Sequence, residues 1–211
     1  MYVVMNDFEK EIEKCIGKAN LKKVQSVTVG IAGCGGLGSN CAAHLVRCGV
    51  KNLVIADHDT VELSNISRQF YFLDQVGRMK VEALAENLRR INPDISVKTH
   101  CLKLDGDNIA RLLRHCPIVV EAFDRAECKK LLVEKLLTRK DLIVSASGLA
   151  GYGKSDAIST RYPKKNLALI GDLRSGVSAA LPPFAPRVAV AAAKQADVIL
   201  EYILTTSAAT D

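Results

Sequence analysis

A chain of 211 residues, 48% hydrophobic and 25% charged, is long enough to bury one substantial core and has the composition of a soluble globular protein. Its net charge of +6 comes from lysines and arginines interleaved with acids, which speaks against a nucleic-acid binder. No apolar run approaches the roughly 20 residues of a membrane helix, so no membrane association is expected. Seven cysteines form no Cys-x-x-Cys pair, which argues against a zinc knuckle and a redox dithiol and suits reduced thiols. Met1 to Met5 is followed at once by Asn6, Asp7, Glu9 and Lys10, so no signal peptide is expected and the expected residence is cytoplasmic.

One domain over residues 1–211 is expected, built of an N-terminal helix, a core over 24–150 and C-terminal strands and helix over 151–204. Residues 6–23 carry Phe8, Ile12, Cys15 or Ile16 and Ala19 on one face, which predicts an amphipathic helix. A buried strand over 27–32 runs into a glycine loop, and a helix over 39–48 stops at Gly49. A second strand covers 53–56, and 60–77 is loop with a short turn. A helix begins at Lys80, carries Val81, Leu84, Ala85, Leu88 and Ile91 at helical spacing, and ends at Asn92-Pro93. Strands at 96–104, 118–123 and 142–146 alternate with helices at 108–115 and 127–137. That alternation defines an α/β fold: a Rossmann-like, doubly wound and mainly parallel sheet. Beyond Gly148 the pattern changes: Gly151 to Gly153 and residues 157–161 suggest an antiparallel extension. Pro186 opens a long Ala-rich helix to about Leu204, apolar on most sides and so buried against the sheet or a second subunit. Residues 205–211 are expected to fray. There is no internal repeat.

The chemistry concentrates in the first half. Gly33, Gly35 and Gly38 form Gly-x-Gly-x-x-Gly between a strand and a helix, with Gly36 between them, a pattern that lets backbone approach phosphate at a helix N-terminus. Asp57, 19 residues past Gly38 at the end of the second strand, is placed to accept from ribose hydroxyls, and Asp59 follows. Asn65, Arg68 and Gln69 supply amides and a guanidinium where a simple nicotinamide fold has no need of them; they suit a longer, more highly charged phosphate chain. Lys80, at a helix start, is placed for the α-phosphate. Asp124 ends the fourth strand on the ligand-binding edge and is a candidate Mg²⁺ ligand; its plainer reading is a cap for the helix starting near Glu127, and one residue can do both.

These groups dispose of phosphate without a base that activates a nucleophile. An ionised carboxylate attacking the α-phosphorus of ATP needs none, and catalysis reduces to alignment and charge neutralisation, with Arg68, Lys80 and Asp124 as the catalytic groups. An NAD-dependent oxidoreductase would explain Gly33 to Asp57 and leave Arg68, Lys80 and Asp124 without a task.

Gly33 to Asn40, the run Asp57-His58-Asp59-Thr60-Val61-Glu62-Leu63-Ser64-Asn65 and Arg68-Gln69 resemble the ATP signature of the ThiF/MoeB/HesA adenylyltransferases. Val76 to Lys80 resembles that family's lysine segment and Ala122-Phe123-Asp124 its magnesium aspartate. The stretch 147–153, with Ala185-Pro186-Arg187 and 193–197, looks more like the short second branch of ThiF proteins. The resemblance implies ATP- and Mg²⁺-dependent adenylation of the C-terminal Gly-Gly carboxylate of a ThiS-like ubiquitin-like sulfur carrier in thiamine thiazole synthesis, by a homodimer. Asp57 would hold ribose, Asn65, Arg68 and Gln69 the phosphates, Lys80 the α-phosphate and Asp124 the metal. The same family includes tRNA threonylcarbamoyladenosine dehydratases, which form the alternative. The chain departs from many members in lacking paired Cys-x-x-Cys motifs, so no zinc is expected, and in having no cysteine after Cys128, so thioester or persulfide chemistry is not expected. It also lacks the N-terminal arginine that members often send into a neighbouring subunit's site; Lys14, Lys18 or Lys22 are the available substitutes. Cys41 and Cys48 share a helix face and are expected in the core. Oxidation of Cys34, inside the glycine loop, is expected to block nucleotide. His44, His58, His100 and His115 lack metal-ligand spacing.

Overall fold

The structure is a computed structural model and describes residues 5–206. Its centre is a seven-stranded sheet of β1 (Thr28–Ala32), β2 (Asn52–Asp57), β3 (Ser96–Cys101), β4 (Ile118–Glu121), β5 (Leu142–Ala146), β6 (Ser159–Lys164) and β7 (Leu167–Gly171), in the order β3-β2-β1-β4-β5-β7-β6. Every pairing is parallel except β6 with β7. The helices are α1 (Asp7–Ile16), α2 (Lys18–Ser26), α3 (Gly36–Arg47), α4 (Lys80–Ile91), α5 (Ile109–Leu112), α6 (Ala126–Leu136) and α7 (Ala185–Thr205).

Both faces of the sheet are covered, which is why the central strands are apolar at nearly every position. Leu53 and Ile55 of β2 point into one layer with α2, α3, α4 and α7, whereas Val54 and Ala56 point into the other with α5 and α6. Burying a leucine such as Leu84, which is wholly inside, stabilises the fold by about 1.5–3 kcal/mol. The chain leaves β1 towards β2 on one side and reaches β4 on the other. The crevice at the C-terminal ends of β1 and β4 is therefore the point where strand order reverses, the place where such sheets bind ligands.

The doubly wound sheet, the antiparallel extension and the long last helix follow the sequence expectation, and several local details depart from it. Residues 6–23 are not one helix. Gly17 sits at φ +81°, closes α1 by donating to the Glu13 carbonyl (2.8 Å) and accepts from Leu21 to start α2, which continues to Ser26. The strand expected over 96–104 stops at Cys101, and the helix expected over 108–115 is one turn. The strand expected over 118–123 ends at Glu121, so Phe123 belongs to the turn that follows. The extension is displaced: Ser155–Ala157 is a 3-10 turn, β6 begins at Ser159, and the parallel strand β7 was not anticipated. The apolar last helix packs Val188, Ala191, Ala192, Ile199 and Ile203 into the core. The expected fraying falls mostly on residues 207–211, which lie outside the described residues, as do Met1 to Val4; Thr205 closes α7.

Candidate functional site

The glycine loop is shaped by contacts that leave no room for side chains. Gly33, at φ +98°, would place a Cβ 2.8 Å from the Ala122 carbonyl, so the loop lies directly against the turn after β4. A Cβ on Gly38 would sit 1.9 Å from the Gly33 carbonyl, which makes the third glycine a condition for closing the helix onto the loop. Gly35 has only the Gln69 amide nearby, at 3.9 Å, and Gly36 starts α3. No side chain among the described residues caps α3, so its first-turn amides have no side-chain acceptor, an arrangement that suits an anion.

Asp57, at the end of β2, uses both carboxylate oxygens to organise backbone: one accepts from the Cys34 amide (2.6 Å), the other from the Asp59 amide (2.9 Å). Each oxygen keeps a second lone pair for an incoming hydroxyl. Asp59 holds Lys80, with Oδ2 to Nζ at 2.8 Å. Burial pushes the Asp59 carboxyl upward, but the Lys80 hydrogen bond and charge, with His58, outweigh it and hold the group below the usual carboxylate range. A helix-start lysine is ordinarily solvated; Lys80 is 6% exposed because a bridge between Thr60 and Met79 and the Lys80 amide on the Asp59 carbonyl (2.9 Å) tuck it under the preceding loop.

The segment expected as loop, 60–77, is tightly built from two 3-10 turns, Leu63–Asn65 and Leu73–Gln75. Asn65 is buried and its oxygen accepts from the Glu62 amide (3.1 Å), so its first task is to fold this segment. The Arg68 guanidinium donates through Nη1 to the Ser64 carbonyl (3.0 Å), and its aliphatic stem lies 3.8 Å from the Cβ position of Gly36, over the first turn of α3. Gln69 has a buried Oε1 without a partner among the described residues. Three residues missed from sequence fix this arrangement. Asn40 donates to the Gly36 and Arg68 carbonyls, Ser39 Oγ accepts from the Phe70 amide (3.0 Å), and the Tyr71 hydroxyl donates to the Cys34 carbonyl (2.7 Å), 3.3 Å from that of Lys80. Ser39 and Asn40 both lie within the quoted run Gly33 to Asn40, without a role assigned to either; Tyr71 carried no signal that separated it from packing residues.

Asp124 is exposed and makes no hydrogen bond or ion pair among the described residues, and α6 has no side-chain cap, so the capping alternative is not what the structure contains. Three residues earlier, Glu121 is fully buried. It accepts from Ser145 Oγ (2.5 Å), from the Phe123 amide (2.7 Å) and from Lys129 (3.2 Å). Sequence reading passed over Glu121 as one position in an apolar strand.

Two further expectations are corrected. Cys34 is wholly buried, and burial together with the charge of Asp57 pushes its thiol well up, so the reactive thiolate needed for oxidation is suppressed. His58 does have candidate metal-ligand neighbours: its ligand atom and those of Asp57 and Asp59 lie within 4.8 Å of one another. Lys80 already neutralises Asp59 there. Cys41 is in the core as expected and Cys48 is half-buried. At the far side of the crevice Arg187, 3% exposed, binds Asp172 (2.6 Å) and the carbonyls of Gly153 (2.8 Å) and Lys154 (3.1 Å), tying the loops after β5 and β7 to the start of α7. Burial pushes Asp172 up, yet hydrogen bonds from Ser175, Arg174 and Arg187 bring it down to about 2.

A glycine loop, strand-end acids, a guanidinium and a lysine gather near the switch point of the sheet of a Rossmann-like α/β protein, which makes this crevice the candidate site. The chain belongs to the ThiF family, whose profile matches residues 8–205. It is 47% identical over 81 residues to ubiquitin-like modifier-activating enzyme 5 of Drosophila persimilis, covering 38% of this chain and 21% of that one. The rice protein of the same name is 40% identical over 85 residues, 40% of this chain and 20% of that one. The chain thus spans about a fifth of the length of these curated relatives. In fold it resembles the E. coli tRNA N6-threonylcarbamoyladenosine dehydratase TcdA in complex with ATP, with a TM-score of 0.86 at 21% identity over 96% of this chain and 97% of that one. It also resembles E. coli MccB with ATP, with a TM-score of 0.73 at 23% identity over 96% of this chain and 65% of that one.

Proposed function

We propose that this protein activates a carboxylate with ATP, forming an acyl-adenylate and releasing pyrophosphate, and that its substrate is the Gly-Gly terminus of a small ThiS-like ubiquitin-like carrier. The observation that carries the reading is a buried lysine, Lys80, whose ammonium is held by Asp59 and whose backbone carbonyl meets the Tyr71 hydroxyl that also donates to Cys34 of the phosphate loop, together with Arg68, whose stem lies over the first turn of α3. A dehydrogenase has no use for that pair of cations. Solved structures of the same fold are complexes with ATP or AMP, and the curated relatives are ubiquitin-like modifier-activating enzymes.

The attacking carboxylate is ionised at neutral pH and needs no base. The α3 amides and Arg68 bind the phosphates, Asp57 accepts from the ribose, and Lys80 offsets charge as it builds on the α-phosphate. Asp124 supplies an oxygen ligand not engaged elsewhere among the described residues, which suits Mg²⁺, an ion held by one or two carboxylates together with substrate phosphates. Such an ion, held by Asp124, would supply positive charge to the β- and γ-phosphates.

A second reading, activation of a carboxylate carried on tRNA, is favoured by the match to the dehydratase over nearly the whole of both chains. ATP–pyrophosphate exchange separates the two. Exchange that requires a Gly-Gly-ended carrier and vanishes when its last glycine is removed supports the carrier. Exchange or ATP consumption that requires threonylcarbamoyl-tRNA supports the second reading and overturns the first. A homodimer is part of the proposal, and analytical ultracentrifugation tests it.

A further inference from the structure

We infer that Glu121 is a positioning residue for Asp124: its buried carboxylate braces the turn that carries the proposed metal ligand, and so sets the affinity for Mg²⁺. This rests on the reading of Asp124 given above. A carboxylate with no exposure is costly unless its lone pairs are met, and those of Glu121 are met by a set of donors whose placement is informative. The Phe123 amide donates to it across one residue (2.7 Å), which folds the chain into a tight turn directly before Asp124. Ser145 Oγ, beside it on β5, donates at 2.5 Å and anchors the carboxylate to the sheet. Lys129 Nζ, from the second turn of α6, lies 3.2 Å from both oxygens and ties the other end of the turn to the same point.

The opposite wall of the turn is the glycine loop. The Ala122 amide donates to the Ala32 carbonyl (2.9 Å), and the Ala122 carbonyl lies so close to Gly33 that no Cβ fits there. Residues 122–124 are therefore held between the phosphate loop and the Glu121–Lys129–Ser145 cluster. Asp124 itself has no bond among the described residues that would locate it. Its position relative to phosphate comes from Glu121. Groups that orient a metal ligand typically change metal affinity by about 10–100-fold when removed.

The test uses the full chain and a non-hydrolysable ATP analogue, measured by calorimetry without metal and across a Mg²⁺ titration. Glu121→Ala/Lys129→Ala removes the carboxylate and its counter-charge together, so no lone buried ion remains. The expected result is metal-free nucleotide affinity within about twofold of wild type and a Mg²⁺ half-saturation raised about tenfold or more. Ser145→Ala deletes only a hydroxyl; it is expected to raise the Mg²⁺ requirement several-fold, and it decides the matter if the double variant does not fold. Wild-type Mg²⁺ dependence in a folded double variant, or in Ser145→Ala when it alone folds, would overturn the inference. So would an equal fall in metal-free and metal-bound affinity, the mark of a general structural role. Absence of any Mg²⁺ response in the wild-type protein would instead remove the assignment of Asp124, and the inference with it.

Discussion

Lys80 Nζ lies 2.8 Å from Asp59 Oδ2, and the lysine side chain is 8% exposed whereas that of the aspartate is 51% exposed. The ammonium is thus held from the solvent side by a carboxylate that water also reaches. Removing the lysine leaves Asp59 hydrated rather than stranded. Lys80→Ala is expected to cost about 1 kcal/mol of stability, seen as a melting temperature lower by about 2–4 °C. Pyrophosphate exchange should fall by about 10²–10³, the scale of losing one charge-stabilising group in an active site. Exchange at the wild-type rate would remove Lys80 from the mechanism.

Asp124→Ala has a different signature. An exposed side chain without partners adds little to stability, so thermal melts should match wild type to within about 2 °C. Exchange should drop at least about 100-fold, and raising Mg²⁺ should not restore it. Restoration by excess metal would mean that other groups hold the ion.

Gly38→Ala asks whether the loop depends on bare backbone. The added carbon would meet the Gly33 carbonyl at 1.9 Å, where nothing flexible can yield. The expected outcome is destabilisation of about 3 kcal/mol or more in a urea melt, with nucleotide binding lost. A stable variant that still binds would show that α3 can shift without cost.

Asp172 carries a pH dependence with a definite sign. Its folded pKa, about 2, lies below the unfolded value near 4. The stability it contributes is complete above about pH 4 and is lost as the pH falls towards 2. The difference in unfolding free energy between wild type and Asp172→Asn should therefore be flat from pH 7 to 5 and shrink below pH 4. A difference that grew on acidification would contradict the pairing with Arg187.

The parts legible in the sequence were those written by period or by backbone geometry. Strand β5 and helix α4 stand where their apolar spacing placed them, and Gly33 and Gly35 lie between β1 and α3, whereas α3 begins at Gly36 rather than at the expected Ser39 and so takes Gly38 into its first turn. The break at Gly17 was hidden because apolar spacing continues across it, while the deciding quantity is a φ of +81° that only glycine takes without strain. Strand β7 was hidden because a short apolar run after Asn166 has no period of its own, and its identity comes from β5 alongside. Asn65, Lys80 and Asp124 were found as polar residues in a plausible place, but their surroundings were not: one is buried folding its own segment, one is paired with Asp59, and one stands in solvent. Glu121 lay beyond reach because nothing in a strand sequence tells a buried braced carboxylate from an edge residue.

The first turn of α3 touches the last helix: a Cβ on Gly36 would come 3.0 Å from a Val188 methyl. Every residue proposed to meet the nucleotide lies before residue 125, yet the helix that presents its amides is backed by residues after 184. During synthesis the chain emerges N-terminus first, at about 5–20 residues per second. A ribosome-bound intermediate that displays residues 1–180 therefore carries the whole signature but not the wall behind it. Nucleotide capture should begin only once α7 has emerged and packed, so a segment made well after the motif sets when the motif can work.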